Sequence, residues 1–433
     1  MERVIARHIL KDPTSFKSQV LAWSQPFNPV VWLDSNNHNK KYSEHDAVLA
    51  IGQSSFMASN YKNGFEALKK YQSETNDYIF GYLGYDLKND VEQLSSNNLD
   101  NLDFSDVFFF QPKKIILVKG NIATFKYLTS YKEDLKTDIE NIFNQKASSE
   151  KSKGSNSNIK LRISKDTYLK KVNHILDNIH HGELYEATFC QEFYSENTSI
   201  DPIRVYENLN EISKAPFATF FKRNHHYALS ASPERYLKKS GRKIISQPIK
   251  GTAKRSQDSI KDLELKIALQ NDAKERAENI MIVDLVRNDL SRIAKKGTTK
   301  VKELCGTYSF KQVHQMISTI STEVRKDIHP VDIIKNTFPM GSMTGAPKIA
   351  AMEIIEKQEE TKRGLYSGCI GYFSPEGDFD FNVIIRTILY NAQKKYVSFS
   401  VGSAITSLAN PEKEFEECLL KANAMREVLT KYY

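Results

Sequence analysis

Pro248-Ile249-Lys250-Gly251-Thr252 is the first of four motifs whose order along the chain sets the fold we expect. It holds a lysine in a loop bounded by proline and glycine. Most lysines are solvated surface charges, and on local evidence alone that alternative stands for Lys250. A nucleophilic lysine must lose its proton, which burial and a nearby divalent cation both favour. The loop is therefore compatible with either an exposed charge or a reactive amine. The other motifs of the chain have to distinguish between the two.

Two Glu-x-x-Glu pairs, Glu275/Glu278 and Glu414/Glu417, form the second and fourth motifs. A spacing of three puts both carboxylates of a pair on one helical face, which by itself is compatible with a solvated surface. Residues 280–286, after the first pair, are apolar nearly all round and predict a buried helix. Carboxylates entering a buried helix need a cation, since otherwise they raise one another's pKa. Mg²⁺ suits this position because it takes oxygen ligands.

The third motif is Gly341-Ser342-Met343-Thr344-Gly345-Ala346-Pro347-Lys348, which precedes a predicted helix over residues 348–358. Its glycines allow close approach, its proline suits a first helical turn, and the helix start offers free amides to an anion. A plain capping loop is the alternative.

Together these motifs resemble those of the chorismate-utilising enzymes, a family that includes synthases of anthranilate, aminodeoxychorismate, isochorismate and salicylate. The resemblance is strong over residues 160–430 and weak over the first 145. It implies an α+β fold of two large, mainly antiparallel sheets packed together with helices outside. The hydrophobic pattern alone predicts only a mixed α/β protein.

The resemblance also implies roles for individual residues. Lys250 would add to carbon 2 of chorismate while Glu234, as general acid, protonates the hydroxyl leaving carbon 4; ammonia would then add at carbon 4 and expel the lysine. A turn carboxylate paired with Arg235 is the alternative for Glu234, and a structural histidine is the alternative for His314. The implied Mg²⁺ ligands are Glu275, Glu278, Glu414 and Glu417. The implied substrate-binding positions are Thr252, His314, Thr344, Tyr366, Gly371, Arg386, Gly402, Ser403 and Lys421.

The residue types at two positions distinguish between members of this family that catalyse different reactions. Lys250 is typical of members that aminate chorismate to 4-amino-4-deoxychorismate for p-aminobenzoate and folate synthesis, whereas anthranilate-forming members usually carry alanine there. Water-adding members have a general-base lysine where this chain has Glu186, and amine-using members usually have glutamine. We therefore expect chorismate amination, with anthranilate formation and pyruvate release as the alternative and the role of Glu186 open.

Local patterns predict strands over residues 78–86 and 107–118, a helix over residues 166–179 and a hairpin turning near Ser240-Gly241. With a two-residue turn, Glu234 would lie opposite Gln247, and regular pairing would not place Glu234 and Lys250 on one face. Pro233 and Pro248 make regular pairing doubtful, so the distance between the two side chains stays open.

Composition indicates the size of the core and how the chain is divided. The 433 residues are 40% hydrophobic, enough for a large core. A small, polar run predicts a linker or loop over residues 146–159, between an N-terminal region over residues 1–145 that packs on the rest and a chorismate-binding catalytic domain over residues 160–433.

Charge and cysteine content exclude several classes of protein. The net charge of +8, from 61 basic and 53 acidic residues, is spread along the chain without a basic run, which argues against nucleic-acid binding. No stretch predicts a signal peptide or a membrane span. Four dispersed cysteines predict a reducing cytoplasm. A catalytically silent binding protein remains a different class, against which both glutamate pairs, Lys250 and Arg386 argue.

None of the cysteines fits the glycine-flanked nucleophile of a glutamine amidotransferase. Cys369 comes closest, in Ser367-Gly368-Cys369-Ile370-Gly371, but serine replaces the first glycine. We therefore expect ammonia from a separate glutamine amidotransferase subunit.

Overall fold

The computed structural model describes residues 2–38, 41–145 and 158–430. The strands within these ranges are β1 (Arg3–Ile9), β2 (Val30–Asp34), β3 (Ala47–Ser59), β4 (Ile79–Leu83), β5 (Val107–Lys119), β6 (Ile122–Leu128), β7 (Lys160–Leu161), β8 (Glu186–Ser195), β9 (Phe217–Arg223), β10 (His226–Ser232), β11 (Arg235–Ser240), β12 (Lys243–Gln247), β13 (Ile249–Lys254), β14 (Lys300–Ser309), β15 (Val313–Glu323), β16 (Gly345–Ala346), β17 (Cys369–Phe373), β18 (Phe379–Asn382), β19 (Thr387–Asn391) and β20 (Tyr396–Thr406).

The α-helices in the same ranges are α1 (Pro13–Trp23), α2 (Gly64–Thr75), α3 (Asp134–Asn144), α4 (Lys165–His180), α5 (Pro202–Ser213), α6 (Ser259–Asn271), α7 (Ala273–Ser291), α8 (Pro330–Thr337), α9 (Lys348–Gln358) and α10 (Pro411–Thr430). None of these helices is long and apolar enough to cross a membrane.

Antiparallel pairing joins the strands into two halves. One half runs β8, β20, β19, β10, β9, β2, β3, with β7 and β16 also beside β8. The other runs β5, β4, β17, β18, β11, β12, β15, with β13 and β14 also on β15, β6 beside β5, and β1 beside β6. The long strands β3 and β5 pair and connect the halves. The predicted α+β fold with mainly antiparallel sheet and outer helices is confirmed.

Alternation along β8 shows how the sheet separates two cores. Phe189 belongs to a cluster that includes residues of α1, α4, α5 and α10, whereas Cys190 belongs to a second cluster that includes residues of α2, α7 and α8. Successive side chains of a strand point to opposite faces. Glu186 and Thr188 therefore share the face of Cys190, on which the candidate site lies.

Strands from the N-terminal region are built into the same sheet as the rest of the chain. β2 pairs with β9, and β4 pairs with β17. The predicted linker at 146–159 lies almost wholly outside the described residues. The division of the chain at this linker stays a prediction.

Local predictions agree with these elements within a few residues, and the helix over residues 348–358 has the predicted bounds. The hairpin of β11 and β12 turns at Gly241-Arg242, because Ser240 pairs with Lys243. An irregularity between Arg235 and Lys238 then shifts the register, so that Arg235 and not Glu234 lies opposite Gln247. The pairing beside the site is therefore irregular, in agreement with the doubt that Pro233 and Pro248 raise.

Candidate active site

Lys250 lies in β13 at an irregular point of its pairing with β15, between Ile249 and Thr252. Gly251 follows with φ of +96°, a conformation that other residues rarely adopt. The Lys250 ammonium donates a hydrogen bond of 2.8 Å to Oε1 of Glu186. Burial disfavours the ammonium, but Glu186, Glu278 and Glu417 together outweigh it and raise the pKa of Lys250. Burial therefore favours the neutral amine, as expected, but the three carboxylates reverse the net shift.

Glu234 is buried at the start of β11, and its Oε1 accepts a hydrogen bond of 2.7 Å from Ser342 Oγ. Burial raises the pKa of Glu234 to about 7, against the opposing effects of Ser342 and the charge of Lys250. Arg235 instead pairs with Asp380 at 2.9 Å, so the turn-carboxylate alternative does not hold. A carboxyl group protonated near neutral pH is suited to act as a general acid.

The two glutamate pairs lie on the first two turns of α7 and α10, and these helix starts are close to each other at the site. Lys274 Nζ lies 3.8 Å from Glu278 Oε1 and 3.7 Å from Glu414 Oε1, so one ammonium contacts both pairs. Burial raises the pKa of Glu278 to about 7. Burial and the charge of Glu417 also raise the pKa of Glu275. The pairs converge, as the sequence predicts, and their negative charge is only partly compensated.

The donor chemistry of this cluster fits a hard divalent cation, whereas its present geometry does not form a ligand shell. Over the described ranges, no group of three or more His, Cys, Asp or Glu side chains is arranged to hold one ion. Ser403 Oγ donates to Oε2 of Glu414, and Lys421 Nζ lies 2.5 Å from Oε1 of Glu417. Buried carboxylates with raised pKa values gain stability from a cation, so Mg²⁺ would be held here by side chains that first leave their lysine partners.

Arg386 adds a positive charge to the site, within electrostatic range of Glu417. Its φ is +53°, a strained conformation for a non-glycine residue, and its guanidinium makes no hydrogen bond or ion pair with the residues that the structure describes. Burial lowers the pKa of Arg386. It lines a cavity together with Lys421 and Gln315, where an anion would satisfy it.

Contacts link Lys421, which lines this cavity, to two further predicted binding residues, Gly402 and Tyr366. Lys421 Nζ donates a hydrogen bond of 2.9 Å to the carbonyl oxygen of Gly402. Gly402 lies opposite Cys190, whose Sγ is 3.6 Å from the hydroxyl of Tyr366. A Cβ on Gly402 would come within 2.6 Å of that sulfur, so glycine is required by close packing beside Tyr366.

Thr344 and Thr252 flank the site in different ways. Thr344 is buried in the loop before α9, and its carbonyl oxygen accepts a hydrogen bond from the backbone N–H of Thr188. Thr252 is exposed in β13 and lies opposite Gln315. Cross-strand partners share a face, so Thr252 lies on the same side of the sheet as Gln315.

The contacts of His314 and Gly371 give each of these residues a structural role. His314 is buried, with Ser309 Oγ 2.9 Å from Nδ1 and Asp262 Oδ1 3.0 Å from Nε2, so both ring nitrogens have protein partners. Gly371 lies in β17 between β4 and β18, and a Cβ there would lie 2.1 Å from the carbonyl oxygen of Asp380. Their assignment to substrate binding stays a prediction.

Sequence reasoning did not assign roles to several polar groups at the site. Ser342 lies inside the quoted glycine-rich motif, yet only the folded chain brings it to Glu234. Thr188 Oγ1, Gln315 Oε1 and Glu186 Oε2 are buried without hydrogen-bond partners among the described residues. The period of two along β8 and β15 could have indicated that Thr188 shares a face with Glu186 and that Gln315 faces away from His314.

Comparison with known proteins agrees with this geometry. Residues 28–427 match the family described as chorismate binding enzyme. The chain belongs to the chorismate binding enzyme family. It is 34% identical, over 81% of its own length and 43% of the relative, to the probable chloroplastic aminodeoxychorismate synthase of Oryza sativa subsp. japonica. It is 36% identical, over 62% of its own length and 59% of the relative, to aminodeoxychorismate synthase component 1 of Escherichia coli K12. The chain thus spans less than two thirds of either relative.

A solved member of the chorismate binding enzyme fold superposes over most of the chain. Anthranilate synthase component I of Streptococcus pneumoniae TIGR4 gives a TM-score of 0.78 at 22% identity, covering 90% of this chain and 94% of that one. This likeness shows the fold.

Proposed function

We propose that this chain aminates chorismate with ammonia to give 4-amino-4-deoxychorismate. The proposal is carried by two groups of the site: the largely buried amine of Lys250, and the buried carboxyl group of Glu234, whose pKa burial raises to about 7 while the charge of Lys250 acts to lower it. A nucleophile close enough to a general acid to act on its pKa suits a reaction in which an amine adds as a hydroxyl leaves. The names of the two aminodeoxychorismate synthase relatives support the same choice.

Each residue has a defined task in this reaction. Arg386 and Lys421 bind the substrate's carboxylates. Lys250 Nζ adds to carbon 2 after losing a proton, and Glu234 gives its proton to the hydroxyl that leaves carbon 4 as water. Ammonia adds at carbon 4, and the bond from carbon 2 to Nζ breaks with its electron pair returning to nitrogen. Mg²⁺, held by Glu275, Glu278, Glu414 and Glu417, would neutralise their charge and a substrate carboxylate.

Anthranilate formation is the second candidate function, and one observation favours it. In this structure the pKa of Lys250 is raised by its carboxylate neighbours, and an ammonium group does not attack carbon 2. Ammonia could then add at carbon 2 directly, which is the route to anthranilate and pyruvate. A bound cation that neutralises Glu278 and Glu417 would remove part of this rise in the Lys250 pKa. Attack of Lys250 on carbon 2 would then be favoured again.

Product analysis separates the two candidates. The purified chain is incubated with chorismate, magnesium and an ammonium salt, and products are resolved by chromatography with mass detection. We expect 4-amino-4-deoxychorismate without pyruvate. Fluorescent anthranilate with one equivalent of pyruvate would establish the second candidate, and absence of both products would overturn the proposal.

We further propose that a separate glutamine amidotransferase subunit supplies the ammonia. The four cysteines are all buried, and burial raises the pKa of Cys369 and holds it as an inert thiol. The isolated chain should use ammonium salts and fail with glutamine. Comparable rates with glutamine and with ammonium salts from the purified single polypeptide would contradict this.

A further inference from the structure

A second cavity lies beside Glu234 and is separate from the cavity at Arg386. Glu234, Ser342 and Asp289 line this second cavity, which is partly open and large enough to admit water. The cavity at Arg386 is lined by Pro233, the residue before Glu234, and the two cavities have no lining residue in common within the described ranges. Glu234 can therefore be approached from a side that a substrate bound at Arg386 does not occupy.

Asp289 has an unsatisfied oxygen at the second cavity. Its Oδ2 lies 2.9 Å from Lys348 Nζ, and Lys348 does not line the cavity. Its Oδ1 is buried and has no hydrogen-bond partner in the part of the chain that the structure describes. The hydroxyls of Ser246, Thr337 and Ser342, which also line the cavity, all bond to other protein groups. Leaving a buried carboxylate oxygen unsatisfied is costly, so Oδ1 requires a donor that the cavity admits, and water is such a donor.

The proposed amination leaves Glu234 one proton short in every turnover. Glu234 gives its proton to the departing hydroxyl, which leaves as water. The ammonia that adds at carbon 4 becomes an ammonium group and keeps its three hydrogens. Lys250 loses one proton before it adds to carbon 2 and regains one after it leaves. The proton that Glu234 needs must therefore come from solvent, although this residue is only 4% exposed.

We propose that the second cavity holds water that returns this proton to Glu234, with Oδ1 of Asp289 as the group that positions and protonates that water. The inference rests on the general-acid role of Glu234 in the proposed function and adds the path of its proton. Oδ1 accepts a proton from solvent at the open side of the cavity. A bridging water then gives one of its protons to the Glu234 carboxylate and takes the proton of Asp289 in exchange. Only these O–H bonds change, and Asp289 ends as a carboxylate paired with Lys348.

The charges around the two carboxyl groups are compatible with this transfer. Lys348 on α9 and Arg292 at the end of α7 both lower the pKa of Asp289, whereas burial raises it above its usual value. Lys250 lowers the pKa of Glu234, and burial raises it to about 7. Asp289 is therefore protonated more readily than a solvated aspartate, and Glu234, once ionised, is a favourable acceptor near neutral pH.

Asp289→Asn tests the relay, because an amide keeps the size of the side chain and an acceptor for Lys348 but does not pass on a proton. The variant should lower kcat by about tenfold and leave KM for chorismate within about twofold of wild type. The solvent deuterium isotope effect on kcat should increase, because return of the proton becomes the slow step. Circular dichroism establishes that the variant is folded.

Val286→Met is a second variant, which leaves the ion pair of Asp289 and Lys348 intact. Val286 lines the second cavity, so a longer apolar side chain there displaces water, and the isotope effect should again increase. Asp138→Asn is the matched control, because Asp138 forms a comparably buried ion pair with Lys114 and lines neither cavity. Its kcat and isotope effect should stay at the wild-type values.

An unchanged isotope effect in both Asp289→Asn and Val286→Met would overturn the relay and leave Asp289 as a structural partner of Lys348. Both candidate products require loss of the hydroxyl at carbon 4, so the comparison can be made with whichever product the wild-type chain forms. Formation of anthranilate by the wild-type chain would overturn the proposed function and leave the isotope comparison in place, so the two failures are distinguishable.

Discussion

Ser342 donates a 2.7 Å hydrogen bond to the carboxyl group of Glu234, across 108 residues of sequence. This bond lowers the pKa of Glu234, whereas burial raises it, and the net result is a value of about 7. The pKa of the proposed general acid thus results from two opposing effects of its surroundings. The loop that carries Ser342 also carries Thr344, so one motif holds both the donor to Glu234 and a predicted substrate-binding residue.

Ser342→Ala should raise the pKa of Glu234 further, because a donor to the charged form is lost. The alkaline limb of the pH profile of kcat/KM should move upward by about one pH unit. Ser246→Ala is the control, since the buried Ser246 hydroxyl donates to the backbone carbonyl of Tyr236 and not to a carboxylate. An unmoved limb in Ser342→Ala would show that Glu234 does not set it.

Glu234→Gln should lower kcat by roughly 10²- to 10⁴-fold, since an amide cannot give a proton to the leaving hydroxyl.

The same change should stabilise the protein at alkaline pH. Because the pKa of Glu234 rises from 4.5 to about 7 on folding, the native state retains a proton that the unfolded chain loses, and stability falls as pH increases across that interval. Urea unfolding at pH 8 should show a gain of roughly 3 kcal/mol in the variant. Equal stability at pH 5 and pH 8 relative to wild type would contradict the shift.

Lys250→Ala should abolish formation of 4-amino-4-deoxychorismate and leave chorismate binding within a few-fold of wild type, because Arg386 and Lys421 remain. Calorimetric titration with chorismate and product analysis check both statements. Appearance of anthranilate would indicate that ammonia now adds at carbon 2. Undiminished amination would refute the nucleophile role.

Magnesium should be required for turnover and should raise Tm, because it neutralises carboxylates that burial disfavours. Excess chelator should remove both effects. Glu278→Ala should weaken the magnesium-dependent rise in Tm, whereas Asp284→Ala, an exposed carboxylate on the same helix, should leave it intact. Wild-type magnesium dependence in Glu278→Ala would show that the ion binds elsewhere.

Lys348→Met should lower the free energy of unfolding by about 3–5 kcal/mol, because it leaves the buried carboxylate of Asp289 without its partner at 2.9 Å. This ion pair fixes the start of α9 to α7. Arg287→Ala, which removes an exposed ion pair with Asp284 on α7, should cost about 1 kcal/mol or less. Chemical denaturation measures both, and equal costs would show that burial of the Lys348 pair is immaterial.

Glutamate spacing and apolar periodicity were sufficient to predict the two carboxylate helices and the extent of α9. These features depend on neighbours three or four residues apart, which the sequence displays directly. The order of the motifs was sufficient for the family and hence the fold.

The relation between Glu234 and Lys250 required the folded chain. The hairpin turns one residue later than expected, and an irregularity between Arg235 and Lys238 changes the register, so the partner of Gln247 is Arg235 and differs from that of a regular hairpin. The state of Lys250 was also decided in three dimensions, because Glu186, Glu278 and Glu417 come from three distant segments and together outweigh burial. By itself, the sequence determined which groups are present and which share a helix face. The tertiary structure decided their charge, since pKa values depend on burial and on charges brought close only by folding.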